Sequence, residues 1–133
     1  MPEPDAGRFT FRRDERLSHA LDFIRVRRKG LRRAGRWLMV WAYDRRELPR
    51  RATRLGVQVS RKDGIAVRRN RFKRRVREIF RTHKHRLQRG WDLLVTAKPG
   101  AVKPAEFPQE FEELRKEFLA LTRELSLPAD RSS

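Results

Sequence analysis

The chain has 133 residues, with 35 Lys or Arg against 17 Asp or Glu, a formal charge of +18 and no Cys. That length supports one modest core, and the lack of Cys excludes disulfides, thiolate metal sites and a Cys nucleophile. No apolar run approaches the roughly 20 residues of a bilayer span. The sequence therefore predicts a soluble, cytoplasmic protein whose charge seeks a polyanion, nucleic acid first and an anionic surface second.

Residues 1–8 carry two Pro, a Gly and two acids without a signal-type apolar segment, and are expected to be a disordered lead-in. Phe9 and Phe11, at period two, suggest a short extended segment laid against the body. Ser18 is a plausible N-cap for a helix over 18–29, closed by Gly30. Leu17, Ala20, Leu21 and Ile24 form its expected core stripe. Phe23 lies beside that stripe, with Arg27 one turn on. The ring either widens the core or meets a ligand, and the residues leave both open.

Over 36–43 the period changes to two. Trp37, Met39, Trp41 and Tyr43 share one strand face, and Leu38, Val40 and Ala42 the other. A polar turn leads to a second strand over 53–59, and the two strands suggest an antiparallel hairpin. Helices can cover one face. The Trp37, Met39 and Trp41 face, if partly open, is an aromatic platform suited to unpaired bases.

The segment 60–86 holds 12 Lys or Arg against two acids, Asp63 and Glu78, a formal +10. After a loop, a helix over 67–83 buries Phe72, Val76, Ile79, Phe80 and His83 on one stripe. Lys73, Arg74, Arg77, Arg81 and Lys84 crowd a neighbouring arc. A solvated charged face would be held by acids at i,i+4, and Glu78 alone is available. The arc therefore predicts a polyanion partner.

The run 90–97 reads as a buried strand ended by Pro99-Gly100, so the helix before it is a crossover within one sheet. A final amphipathic helix over 108–125 carries Phe107, Phe111, Leu114, Phe118, Leu121 and Leu125 at steps of four and three. Its acids Glu110, Glu112, Glu113, Glu117 and Glu124 read as solvated positions, and a polar tail follows over 128–133. His19, His83 and His85 lie in no metal or nucleophile motif, so no catalytic and no metal residues are expected. The Arg-rich composition suits bidentate phosphate contact and stacking on bases instead.

The run RLGVQVSRKDGIAVRRNRFKRRVREIF resembles the signature of the bacterial ribonuclease P protein subunit, through Arg69, Asn70, Arg71, Lys73, Arg74 and Arg77. RLSHALDFIRVRRKG resembles that family's first helix, and WDLLVTAKPGA its last strand. The resemblance implies an α/β (α+β) sandwich with a small, mostly antiparallel sheet of about four strands. Its order would be α-β-β-β-α-β-α, with a left-handed crossover at the Arg-Asn-Arg helix. It implies one RNA-binding domain over residues 9–127, acting as the protein subunit of an endoribonuclease that removes the 5′ leader of precursor tRNA. Catalysis would reside in the RNA, with Mg2+ held there, and with no membrane or protein partner.

By the same resemblance, Arg69, Asn70, Arg71, Lys73, Arg74 and Arg77, with Arg61 and Lys62, would meet the catalytic RNA. Phe23, Arg27, Met39, Trp41 and Gln58 would hold the single-stranded leader in a cleft between the first helix and the sheet. Arg27 stands where the family usually has a second aromatic. Asp63-Gly64-Ile65 departs from a stretch usually lacking the acid and carrying Asn after Gly. Other readings of the basic surface are an RNA-binding module such as a ribosomal protein, or a nuclease acting without RNA.

Overall fold

Seven regular elements organise the chain: α1 (Ala20–Lys29), β1 (Leu31–Ala34), β2 (Leu38–Asp44), β3 (Arg54–Gln58), α2 (Ala66–His83), β4 (Trp91–Ala97) and α3 (Gln109–Glu124). Their order is the α-β-β-β-α-β-α that the resemblance implies. This computed structural model describes residues 11–98, 102, 109–125 and 127, with the backbone alone at Asp63 and Gln109. The expectations for residues 1–8, Phe9, Pro99-Gly100, Phe107, Pro108 and the tail from 128 lie outside the described residues.

The sheet runs β1-β2-β4-β3. β1 with β2 and β2 with β4 are antiparallel, whereas β3 and β4 are parallel, so the sheet is mixed though mostly antiparallel. The hairpin expected between β2 and β3 does not form, because β4 lies between them. β4 earns the centre through a run of buried residues from Asp92 to Val95 that needs cover on both faces. The hairpin that does form joins β1 and β2. β1, reading LRRA and exposed throughout, has no apolar alternation to announce it, and its charges suit an edge.

One face carries the main core. Leu38, Val40, Ala42, Leu55, Leu93 and Val95 pack there with Phe72, Val76, Ile79 and Phe80 of α2 and Leu114, Phe118 and Leu121 of α3. Phe11 meets Phe80 edge to face, 5.7 Å between centroids. His83 is half-buried, with Nδ1 2.9 Å from the Ile79 carbonyl oxygen, as a packed residue should be.

The other face is covered by α1 and is smaller, with Leu17, Val26 and Leu94 buried beside Phe23, Trp41 and Tyr43. Here the expected stripe is wrong: Leu21 is 78% and Ile24 46% exposed, while Val26 is fully buried. Two contacts turn the helix this way. Phe23 lies so close over Gly56 that a Cβ there would fall 2.5 Å from its ring. On the same side, Asp22 and Arg25 join ions on the sheet, Arg54 at 3.5 Å and Asp92 at 3.3 Å. Ser18 is not the N-cap either; His19 holds that place without a side-chain hydrogen bond.

Asp92 is fully buried in the central strand. Arg54 donates to both carboxylate oxygens at 2.8 Å, and Arg45 to Oδ1 at 2.6 Å. Burial would raise this carboxyl's pKa, but the hydrogen bonds from Arg54 and Arg45 outweigh it and hold it below the ordinary range.

The acids of α3 are also not all solvated. Glu110 is buried and pairs with Arg75 of α2 at 2.7 Å. The Glu117 carboxylate accepts from the backbone N–H groups of Arg36, Trp37 (2.7 Å) and Leu38 (2.8 Å), fastening the β1–β2 turn. Trp37 sits in that turn and packs against the main core, with the Arg36 guanidinium 4.7 Å over its ring. It therefore does not share the Met39 and Trp41 face as expected.

Candidate nucleic-acid interface

Strand pairing brings distant residues into rows on the α1 side of the sheet. Met39 of β2 lies opposite Thr96 of β4, which lies opposite Gln58 of β3. The next row is Trp41, Leu94 and Gly56. Side chains two apart along a strand share a face, so Met39, Trp41 and Gln58 converge although 19 residues separate Met39 from Gln58 in sequence. A cavity of about 500 Å3 opens over these rows, lined by Arg27, Met39, Trp41, Gln58, Lys73 and Thr96 among others.

Each expected leader residue is in or beside this cleft. The Arg27 guanidinium lies 5.1 Å over the Trp41 ring, and its Nη2 donates to Gln58 Oε1 at 2.6 Å. Phe23 does not line the cavity; it is half-buried over Gly56 and packs, as Trp41 does, against the small core of Leu17, Val26 and Leu94. Of the alternatives left open for Phe23, the structure shows the first, the ring widening the small core. Thr96 escaped sequence reasoning because a lone Thr in an apolar strand carries no signal; only the register with Met39 and Gln58 singles it out.

The expected catalytic-RNA residues occupy a different surface. Arg61 and Lys62 are exposed on a 3-10 turn ahead of α2, where the Ser60 hydroxyl accepts from the Lys62 N–H at 3.2 Å. Asn70, Arg74 and Arg77 are exposed along α2, and Arg71 is half-buried. Arg69 Nε donates to the Gly64 carbonyl at 3.1 Å, tying the helix to the preceding loop. Partial desolvation and the neighbouring Arg16 cation both lower the pKa of Arg77 from its ordinary value. Such like-charge crowding is relieved by an arriving anion.

One position on this helix is shared and one expectation needs correcting. Lys73, on the cationic arc, also lines the cleft, so it stands between the two surfaces. Glu78 is also not the sole acid available to α2 and the turn after it: Arg75 pairs with Glu110 and Lys84 with Glu15 at 2.6 Å, besides Arg81 with Glu78. Exposed cations stand on the outer side of α2 at Arg74 and Arg77, and on the turn before it at Arg61 and Lys62. Ile65, at the departure from the family pattern, is 61% exposed and gives α2 no side-chain cap. Among the described residues, no group of three or more His, Asp or Glu could hold a metal ion.

Comparison with known proteins identifies the family. A family profile, Ribonuclease P, matches residues 11–125. The "Ribonuclease P protein component" of Desulfosudis oleivorans is 39% identical over 126 residues, covering 92% of this chain and 97% of the relative. That of Chloroflexus aurantiacus is 39% identical over 116 residues, covering 87% and 81%. Among solved structures, the RNase P protein of Staphylococcus aureus superposes with a TM-score of 0.73 at 28% identity, over 85% of this chain and 96% of that one. The RNase P protein of Thermotoga maritima gives 0.69 at 33% identity, over 82% and 96%. With its fold, its Arg-Asn-Arg helix and nearly its whole length matched, the chain belongs to the ribonuclease P protein family.

Proposed function

We propose that this chain is the protein subunit of ribonuclease P, binding the catalytic RNA through α2 and its preceding turn, and the 5′ leader of precursor tRNA through the α1–sheet cleft. Family membership implies an RNA partner in a ribonucleoprotein; the division between two surfaces is our reading. One observation carries it: Arg27, Met39, Trp41 and Gln58 gather in a cavity distinct from the exposed Asn70, Arg74 and Arg77.

The chemistry follows from the residue types. Arg61, Lys62, Arg69, Asn70, Arg71, Arg74 and Arg77 present forks and point charges to phosphates, and release counterions on contact. Trp41 and the Arg27 guanidinium provide stacking surfaces that tolerate any base, as a leader of variable sequence requires. Lys73, between the surfaces, would neutralise phosphates where the leader passes the catalytic RNA. We place the reactive Mg2+ with the RNA, where it would activate the attacking water. The protein's part is to lower repulsion and hold the substrate strand.

The reconstituted holoenzyme tests this. It should bind leader-bearing precursor more tightly than mature tRNA, and Trp41→Ala should weaken precursor binding by about 1–3 kcal/mol per base unstacked. The variant's affinity for the catalytic RNA should not change. Equal affinity for both tRNA forms, or a parallel loss for both RNAs in the variant, would refute the two-surface reading.

A further inference from the structure

We infer that the β1 edge of the sheet is a second RNA-binding surface, which takes the phosphates of a double-helical segment of the catalytic RNA. This rests on the ribonuclease P reading above and adds to α2 a separate contact, so that the protein bridges two segments of its RNA.

Residues 25–36 hold seven Lys or Arg and no acid, a formal +7. Two of these cations are engaged elsewhere: Arg25 pairs with Asp22 at 2.8 Å, and Arg27 lines the cleft. The other five, Arg28, Lys29, Arg32, Arg33 and Arg36, are exposed at the end of α1, along β1 and in the turn after it. Among the described residues, no carboxylate forms an ion pair with any of the five. Glu117, which reaches this turn from α3, spends its carboxylate on the backbone N–H groups of Arg36, Trp37 and Leu38.

Cations in a last helical turn suit the helix dipole, and charge on an edge strand discourages strand addition. Either role is met by one or two charges, and neither is harmed by acids placed among them. Five cations without a counter-ion over residues 28–36 repel one another, and a polyanion relieves that repulsion.

The ladder with β2 sets Arg32 opposite Trp41 and Arg33 opposite Val40. Successive strand residues point to opposite faces, so Arg32 stands on the α1 side of the edge and Arg33 on the side of the main core. The edge is a ridge with a guanidinium on each flank, extended by Arg28 and Lys29 at the end of α1. Arg33 Nη1 donates to the Arg32 carbonyl at 2.8 Å, an exposed contact that leaves the rest of its fork for a ligand.

A ridge charged on both flanks fits a groove with phosphates on both sides. An RNA double helix has that form, and its narrow major groove offers backbone contacts rather than base edges. A single strand is the poorer match. Sites for single strands join cations to stacking aromatics, and here Trp37 is packed on the main core while Trp41 lines the cleft.

β1 and β3 are opposite margins of the sheet, three strand spacings or about 14 Å apart. α2 packs toward β3, and α3 toward β1 and β2, so α3 separates the two basic surfaces and exposes Glu113 and Glu124 there. One backbone running from α2 to β1 across α3 would meet these acids, whereas two segments avoid them. Two contacts on one domain make the second binding event intramolecular, which raises affinity above that of either surface.

The test uses the full chain and its catalytic RNA, read by the salt dependence of binding and by hydroxyl-radical footprinting of the RNA backbone. Arg28→Gln, Lys29→Gln, Arg32→Gln and Arg33→Gln combined should lower the log–log salt slope by about 3 to 4. The affinity advantage of the wild type should then shrink roughly a hundredfold between about 50 and 200 mM salt. Protection should disappear from both strands of one paired segment while the α2 footprint persists; Arg74→Gln with Arg77→Gln should do the reverse. Arg28→Lys, Arg32→Lys and Arg33→Lys combined, which keeps the charge, should keep the slope. Should the Gln variant melt early, Arg32→Gln with Arg33→Gln alone should still lower the slope by about 2.

An unchanged slope, a slope lowered for precursor tRNA instead of the catalytic RNA, or protection lost from a single-stranded segment would overturn the inference. The ribonuclease P reading survives each of these as long as the wild type binds and stimulates the catalytic RNA. A wild type that does neither would refute that reading instead.

Discussion

Gly56 shows how one residue controls the platform. It occupies the β3 position beneath Phe23, where a Cβ would sit 2.5 Å from ring carbon Cε1 and 3.1 Å from Leu17 Cβ. Gly56→Ala should push the Phe23 ring outward and disturb Trp41 beside it. Precursor binding should weaken although no ligand-facing group has changed, as a binding titration against wild type would show. Asp92 sets a second requirement. Its folded pKa is depressed below 3.8, so the stability it contributes is present above that value and is lost as pH falls through the folded pKa. Asp92→Asn should cost about 3 kcal/mol at neutral pH, because Arg45 and Arg54 lose their charge partner. Urea titrations from pH 7 to pH 2 should show the variant's stability falling less steeply in acid than the wild type's.

At the scale of elements, α3 does more than fill the core. Glu117 reaches from it to three backbone N–H groups in the β1–β2 turn, so a helix late in the chain fixes an early hairpin. Glu117→Ala should destabilise the protein by about 2 kcal/mol, the order expected for hydrogen bonds to a partly solvated charge, read as a lowered urea midpoint. The β1 edge should gain amide exchange first, since its turn loses these partners. α2 divides its labour by face: Phe72, Val76, Ile79 and Phe80 hold it to the sheet, Arg75 ties it to α3, and Arg74 and Arg77 stay exposed on the outer side. α1 shows that an amphipathic pattern can mislead when polar side chains also have buried partners. Leu21 and Ile24 yield the sheet-facing side to Asp22, Phe23, Arg25 and Val26.

Across the whole molecule, +18 on 133 residues means strong self-repulsion in the folded state. Anions that bind the native basic surface should stabilise it by mass action. Phosphate or sulfate should therefore raise Tm beyond the effect of chloride at equal ionic strength; a Tm indifferent to anion identity would contradict a structured anion-binding surface. With six or more phosphates contacted, RNA affinity should fall by orders of magnitude between about 50 and 200 mM salt.

Much of this protein was legible in its residues. Periodicity placed α2, β2, β4 and α3 near their observed bounds, because apolar spacing records which side of each element must leave water. The charge excess in 60–86 declared a polyanion partner, and Arg69, Asn70 and Arg71 carried the family resemblance. Periodicity names faces, however, and not neighbours. That β4 separates β2 from β3, that Trp37 turns into the main core, and that Asp92 gathers three arginines depended on which strands paired. The cleft is the clearest case. Met39, Thr96 and Gln58 come together through register alone, and Arg27 reaches Gln58 because Phe23, resting on Gly56, sets how α1 lies across the sheet. Local sequence determined the chemistry each residue could offer, and tertiary packing decided which of those groups gather in one cleft.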